Sequence, residues 1–519
     1  MKKVSILWTD DEIDLLKPHI LFLEEKGYHV TTASNGDDAI QNVGRQHFDL
    51  VFLDENMPGK SGLETLAVIK TLRPALPVVM ITKSEEEDIM DAAIGSQIAD
   101  YLIKPVNPNQ ILLSIKKNID TKKLITRETT SAYQSEFGEI SMFINRAHSF
   151  NDWVSIYKKL MHWELVLEKS EDSSMGEVLK MQKTEANTEF GKFIRNNYFS
   201  WFEGETAGRP MLSPGIMGNT VVPKFKESGK IVFIVVDNLR YDQWRAIQPL
   251  VNEFFNVERE DSYCSILPTA TQYSRNALFS GMMPSDIAAR YPDLWLNDDD
   301  EGGKNQYEEE LMVTCLQRYG IKAKHFYTKV STNKAGNKLI DSLNDILQND
   351  FIAIIYNFVD MLSHANTDVE MIRELASSDS AYRSLTLSWF QHSHFYDLLK
   401  TLALKKIPVI ITTDHGTIRV NKPVKVVGDR STSKNLRYKT GKNLSYNAKE
   451  AFEIKNPSKI HLPVSNISSR YIFAYGDCFF AYPNNYNYYV NYYTNTYQHG
   501  GISLEEMVLP LITLQSKNI

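Results

Sequence analysis

Short apolar runs recur along this chain between amphipathic stretches, and most of them stop on a polar residue. In the first 118 residues they are VSILW, HVTTAS, LVFLD, PVVMIT and YLIK; after residue 206 they include KIVFIVVD, FIAIIYNFVD and PVIITTD. Runs this short, bounded by helical patterns, read as strands buried on both faces. Strands that alternate with helices build parallel, doubly wound sheets, and the chemistry of such sheets collects at the carboxyl ends of the strands. The intervening helices of the first domain are expected near residues 12–26, 37–46, 62–73, 86–95 and 108–118. Residues 119–205 differ: they lack proline and place large apolar residues at helical spacing, as in FINRAHSFNDWVSIYKKLMHWELVLEK. A polar KSEDSSMGE breaks the pattern near Glu171, which predicts a bundle of about three helices. The expected organisation is α/β multidomain, with a flavodoxin-like five-stranded sheet over 1–118, a bundle over 119–205 and a second α/β domain over 206–519.

A length of 519 residues suits about three domains. A net charge of −7 argues against a protein that coats nucleic acid by charge alone, and leaves room for a small nucleotide substrate. Cys264, Cys315 and Cys478 are scattered and odd in number, so neither a disulfide framework nor a thiolate zinc site is expected. The start, MKKVSILWTDDEIDLL, is not a secretion signal. No apolar stretch reaches the roughly 18 residues that cross a bilayer. The expectation is a cytoplasmic protein without membrane insertion. Nothing after the first domain reads as a helix-turn-helix, so direct DNA binding is not expected.

Asp10 and Asp11 close the first strand, Asp54 the third, Thr82 the fourth and Lys104 the fifth. All of them therefore meet at one edge of the sheet. Acidic groups so close need a cation, and oxygen ligands suit Mg²⁺. Asp54 is the expected phospho-acceptor. Lys104 would pair with the phosphoryl oxygens, Thr82 would hydrogen-bond to them, and Tyr101 would swing inward as Thr82 moves. On these residues the segment resembles a response-regulator receiver. The resemblance implies a sensor histidine kinase as partner and homodimerisation on phosphorylation.

A second constellation is spread over VVDNLRYD, LPTATQYSRNALFSG, NFVDMLSH, IITTDHG and YQHGGISLEE. It holds Asp237, Thr271, Asp360, His364, Asp414, His415 and His499. Three carboxylates, three imidazoles and a hydroxyl are enough to hold two divalent metals beside a nucleophilic Thr271, a site that cleaves phosphate or sulfate esters. On a helix, the Asp360–His364 spacing puts both on one face. Nitrogen and oxygen ligands without thiolate suit Zn²⁺. The ordered pattern resembles the alkaline-phosphatase superfamily in its PglZ-type branch. That resemblance implies one zinc held by Asp237, Asp414 and His415 with Thr271, and another by Asp360, His364 and His499. It also implies a covalent phosphothreonine that water hydrolyses.

Three further features are weaker. Residues 419–449 read as a basic, loop-rich insertion, in which Lys434, Arg437, Lys439 and Lys442 around Tyr438 are candidates to clamp a nucleotide. Arg275 and Asn276, close after Thr271, are candidates for phosphate contact. The Tyr/Asn-rich stretch 482–497 reads as an edge strand with alternating faces, its tyrosines an alternative stacking surface for bases. Trp8 is expected in the core.

The order of receiver, bundle and PglZ-type domain resembles regulators of type 9 secretion and gliding in Bacteroidetes, which implies contacts with secretion-motor and sigma-factor proteins. The expected activity is a zinc-dependent phosphodiesterase acting on cyclic or short linear nucleotides. Two alternatives stand beside it. One is a catalytically silent metal-binding effector that works by protein or nucleotide binding. The other is a phosphatase, sulfatase or phosphomutase on the same site.

Overall fold

The computed structural model describes residues 4–83, 98–169, 173–204, 208–297, 300, 302–428, 432–464 and 468–517. The expected helix at 86–95 and the break at Glu171 lie outside these residues. The chain divides into two compact units, Met1–Gln134 with Lys169–Asp172, and Ser135–Glu168 with Ser173–Ile519.

The first unit contains strands β1 (Ser5–Thr9), β2 (His29–Ala33), β3 (Leu50–Asp54), β4 (Val78–Thr82) and β5 (Asp100–Ile103), with helices α1 (Lys17–Glu25), α2 (Gly36–Arg45), α3 (Gly62–Leu72) and α4 (Pro108–Ile115). The sheet order is β2-β1-β3-β4-β5 and every pairing is parallel. Local signals start the helices. Asn35 accepts from Asp38 N, and Ser61 with Glu64 forms a reciprocal capping box. The β3 and β4 side chains are buried throughout, as the continuous apolar runs require. Trp8 lies in that core, tilted against Phe52.

Helix α5 (Thr121–Arg146) follows, then α6 (Phe150–Leu167) and α7 (Ser173–Asn197). In α6 the buried Trp153, Ile156, Tyr157, Leu160, Met161 and Leu167 recur at helical spacing behind a Ser149–Asp152 capping box. Helices α6 and α7 join the second unit through polar ties as well as packing. Arg383, 4% exposed, pairs with Glu164, Glu168 and Asp242. The Asn187 side chain donates to Glu505 and accepts from Leu504 N.

The second unit is built on strands β6 (Ile231–Val236), β7 (Phe255–Cys264), β8 (His325–Val330), β9 (Phe351–Tyr356) and β10 (Val409–Thr412), with a C-terminal strand Val508–Ser516. Its six-stranded order is β7, the C-terminal strand, β10, β6, β9, β8. Pairings β10–β6, β6–β9 and β8–β9 are parallel, and the C-terminal strand runs antiparallel to both of its neighbours. The carboxyl ends of β6, β9 and β10 therefore share one edge, and the chain after each carries part of the site. Two helices complete that edge, α8 (Thr271–Ser280) and α9 (Phe358–Asp368).

Three local expectations fail. The strand expected to run through FIAIIYNFVD ends at Tyr356, and Asp360 lies in the first turn of α9. The residues read as an edge strand instead form helix α10 (Tyr486–Tyr493). Tyr486, Val490 and Tyr493, at spacings of four and three, pack on Ile418, Val420, Phe479 and Ala481. Packing against this cluster outweighs the weak β preference of tyrosine. Only Tyr497–Gln498 is strand, paired with Ile418–Arg419. The insertion is less loop-rich than expected. Lys422–Val427, Tyr438–Gly441 and Ser445–Tyr446 are strands, the first pairing with Cys478–Ala481 and the second with Arg470–Ala474.

Candidate active site

At the edge of the first sheet, Asp10 and Asp54 are buried and Asp11 is exposed, with one oxygen of each within 4.8 Å of the others. Lys104 Nζ lies 2.9 Å from Asp10 and 2.7 Å from Asp54. Burial raises the pKa of Asp54; the Lys104 hydrogen bond and charge oppose that rise, while Asp10 and Asp11 add to it. Thr82 ends the neighbouring strand and is fully buried; Tyr101 is half-buried on β5. The five strand-end residues thus share one edge, with an oxygen-only donor set that fits a small hard cation.

In the second unit, Asp237 follows β6 and Asp414–His415 follow β10. Their ligand atoms cluster within 4.8 Å, and all three residues are buried. Thr271 is the first residue of α8, where unpaired backbone N–H groups favour an anion. Its Oγ1 lies 3.0 Å from His415 Nε2. His415 Nδ1 lies 3.2 Å from the Gly416 carbonyl, which only accepts, so Nδ1 carries the proton and the Nε2 lone pair faces Thr271.

Asp360, His364 and His499 form a second cluster within 4.8 Å. Asp360 and His364 share one face of α9, with Nε2 3.5 Å from the carboxylate. His499 Nε2 lies 3.8 Å from Asp360. The His499 Nδ1–H donates to the Thr269 carbonyl at 3.2 Å, again leaving Nε2 free. The two clusters adjoin, because the His415 and His499 rings stack 4.2 Å apart. His364 is 64% exposed and marks the open side.

Asp237 Oδ1 and Asp414 Oδ2 are buried and accept no hydrogen bond. A buried carboxylate oxygen without a donor is costly. Burial, and then the charge of Asp237, lift both Asp360 and Asp414 to about 6. Burial also holds His499 well below its ordinary value, with His415 adding to the effect. Carboxylate oxygens without a hydrogen bond, beside imidazole nitrogens, are a donor set for divalent cations. Two residues trim the geometry. Asn238 donates through its backbone to Asp414 and through its amide to Asp360, and Asn357 donates to Asp237. Both flank quoted motif residues, yet as amides they give no signal in sequence.

The substrate-contact candidates come out differently. Arg275 is buried, 2.5 Å from Asp237 and 2.6 Å from Glu308, so it braces the carboxylate rather than facing a ligand. The Asn276 amide, 1% exposed, donates to Lys304 O and accepts from Asn305, which also donates to Thr271 O. It supports the start of α8. Arg437 is fully buried and pairs with Glu506 at 2.6 Å. Lys439 is 1% exposed and donates to Ser433 O. Neither Arg437 nor Lys439 lies on a solvent-facing patch, because each side chain turns inward where a partner waits. Lys434 and Lys442 are exposed.

A family model described as the BREX system PglZ alkaline phosphatase-like domain matches residues 217–514. The chain belongs to the PglZ family. Models for the PorX response regulator linker domain and the response regulator receiver domain match residues 123–202 and 6–116. A PglZ domain behind a receiver and a PorX-type linker makes this a two-component response regulator with an alkaline-phosphatase-like output domain, and places that domain in a superfamily of phosphoesterases.

Curated relatives include the alginate biosynthesis transcriptional regulatory protein AlgB of Pseudomonas aeruginosa, 36% identical over 126 residues, which are 24% of this chain and 28% of that protein. The transcriptional regulatory protein ZraR of Escherichia coli is 33% identical over 137 residues, 26% of this chain and 31% of that one. The chain thus spans about three tenths of the length of these relatives. Among solved structures, a CheY-like receiver domain protein from Methanospirillum hungatei is 28% identical, covering 23% of this chain and 96% of its own, with TM-score 0.23. Among the described residues, no helix is long and apolar enough to cross a membrane.

Proposed function

We propose that the PglZ domain is a phosphodiesterase with Thr271 as nucleophile, acting on cyclic or short linear nucleotides, and that phosphorylation of Asp54 promotes homodimerisation. The observation that carries the reading is the position of Thr271. Its hydroxyl stands at a helix N-terminus, 3.0 Å from an unprotonated imidazole nitrogen, beside the Asp237–Asp414–His415 cluster, with the second three-ligand cluster adjoining. Asp237, Asp414 and His415 would hold one Zn²⁺ and Asp360, His364 and His499 the other. Bound zinc would lower the pKa of the nucleophile and stabilise charge on the leaving oxygen. The residues themselves place the groups. The His415 Nε2 that lies 3.0 Å from the Thr271 hydroxyl would give its lone pair to the zinc and so set the metal beside Oγ1, and the first N–H groups of α8 face the phosphoryl oxygens. Thr271 Oγ1 forms a bond to phosphorus as the bond to the leaving oxygen breaks, and water then cleaves the phosphothreonine. Asp10, Asp11 and Asp54 would hold Mg²⁺, with Asp54 accepting the phosphoryl group and Thr82, Tyr101 and Lys104 responding to it.

A second ester group needs a surface beyond the metals. Helix α9 runs from Asp360 past His364 to Asp368, which accepts from Tyr492 OH. Tyr492 stacks on the exposed Tyr488, and Arg373 lies over the Tyr492 ring. This aromatic and cationic ledge, one helical turn from His364, suits a base and its phosphate. By the shared domain order, the protein would regulate type 9 secretion and gliding through secretion-motor and sigma-factor partners.

The test is turnover of bis(4-nitrophenyl) phosphate beside the monoester, with zinc added or chelated, for wild type and Thr271→Val. Zinc-dependent diester cleavage that disappears in the variant is expected. Metal binding without turnover of either ester would reject the enzyme in favour of a silent metal-binding effector.

A further inference from the structure

The basic insertion sends one arginine inward, and it ends on a carboxylate that the phosphodiesterase reading leaves without a role. Arg437 and Glu506, 69 residues apart, are both fully buried. Glu506 Oε2 accepts from Arg437 Nη2 at 2.6 Å and from Ser503 Oγ at 2.7 Å. Glu506 Oε1 accepts from Arg437 Nε at 3.2 Å and from Gly501 N at 2.8 Å. That last bond reaches the loop carrying His499. The loop is in turn laced to the loop before the nucleophile. Gly500 N donates to Thr269 Oγ1 at 3.1 Å, and Thr269 Oγ1 donates to Gly501 O at 2.8 Å. Thr269 also supplies the carbonyl that fixes the His499 tautomer. Glu506 meets the third loop by backbone alone, Gly416 N donating to Glu506 O at 3.3 Å, and that loop reaches the His499 loop where Thr417 Oγ1 donates to Gln498 O at 2.9 Å.

We propose that the buried Arg437–Glu506 pair is the positioning element of the reactive site, holding the His499 loop against the Thr269–Thr271 segment so that the Asp360–His364–His499 cluster is preformed. This rests on the phosphodiesterase reading of the same site. A carboxylate with this many fixed donors holds its geometry without reorganisation, and a buried ion pair is rigid because each partner is costly to leave alone. The glycines show how closely the parts fit. A Cβ on Gly501 would stand 2.7 Å from Ala474 O and 2.8 Å from Arg437 Nη2.

The pair acts on one cluster through side-chain atoms and touches the His415 loop only through the Glu506 backbone. Its removal should therefore unbalance the two metal sites. The experiment titrates zinc into the apo full-length protein by competition with a chromophoric chelator, for wild type, Glu506→Gln and Thr269→Val, with kcat and KM for bis(4-nitrophenyl) phosphate alongside. Wild type is expected to bind two ions. Each variant should keep one at wild-type affinity, bind the other about 10–100-fold more weakly, and lose kcat by a similar factor with KM little changed. Thr269→Val is isosteric and reads the same loop if Glu506→Gln does not fold. Wild-type affinity for both ions in the variants, or equal weakening of both, overturns the proposal whatever the thermal stability does. A wild type that binds two ions and hydrolyses nothing would sink the enzymatic reading while leaving the positioning arm readable. A wild type that binds fewer than two sinks both.

Discussion

Lys439 separates two accounts of the insertion. As a phosphate clamp it would be charged and accessible, and its loss would raise KM. In the structure it is 1% exposed, donates to Ser433 O at 3.0 Å and lies 4.5 Å from the centre of the Tyr482 ring. Burial pushes its pKa down from 10.5 to about 7. Between those values the unfolded chain holds a proton that the folded chain lacks, so stability rises with pH across that window. Below pH 7 the folded state carries the buried charge and the penalty is fully present. At about 1.4 kcal/mol per pH unit over the interval from 10.5 to about 7, it is at most about 5 kcal/mol. Lys439→Met keeps the aliphatic stem, removes the charge and forfeits one hydrogen bond worth about 1 kcal/mol. The variant should be more stable than wild type by about 2–4 kcal/mol at pH 6. The gain should shrink as pH rises and vanish near pH 10.5. Urea unfolding of both proteins at pH 6 and pH 9, followed by tryptophan fluorescence, reads the difference. A destabilised variant at pH 6, or a difference that ignores pH, refutes the reasoning. A raised KM with unchanged stability restores the clamp.

Gly500 has φ of +119°, and a Cβ there would stand 2.7 Å from the Tyr438 ring. Gly500→Ala should cost about 1–3 kcal/mol and weaken zinc binding, measured by thermal unfolding and chelator competition. Tyr488→Ala should raise KM for a dinucleotide several-fold and leave bis(4-nitrophenyl) phosphate kinetics unchanged; equal effects on both would dismiss the aromatic ledge. Asp54→Asn should abolish labelling by acetyl phosphate and the accompanying shift to dimer in sedimentation, while the fold persists because Lys104 keeps its Asp10 partner at 2.9 Å.

The output domain is joined to the linker helices by charge as well as packing. Arg240 and Arg383, both nearly fully buried, meet Asp242, and Arg240 also reaches Asp379. Tyr497, two residues before His499, donates to Asp379, and Lys183 of α7 lies at 4.0 Å from the same carboxylate. The strand-end residues of the site therefore sit on a frame that includes the bundle, and the two fold as parts of one compact unit.

The placement of the candidate site residues was legible from the linear chain because it is local. A buried strand that stops on Asp237 or Asp414 delivers that side chain to the sheet edge whatever surrounds it, and the Asp360–His364 spacing becomes a shared face once α9 forms. The same holds for Asp10, Asp54, Thr82 and Lys104 in the first domain. What the chain could not reveal by itself was which charges turn inward. Arg437 and Lys439 read as candidates to clamp a nucleotide because nothing near them in sequence neutralises or covers them, and the carboxylate that receives Arg437 arrives from 69 residues away. Arg275 likewise finds Glu308 at a separation of 33. The tyrosine-rich stretch became helix α10 because the apolar cluster it covers favours a period near 3.6 over the period of two that its composition suggests. Local pattern decides where a side chain leaves an element; burial of a charge, and the choice between helix and strand for a short ambiguous segment, depend on partners that only the tertiary fold brings into reach.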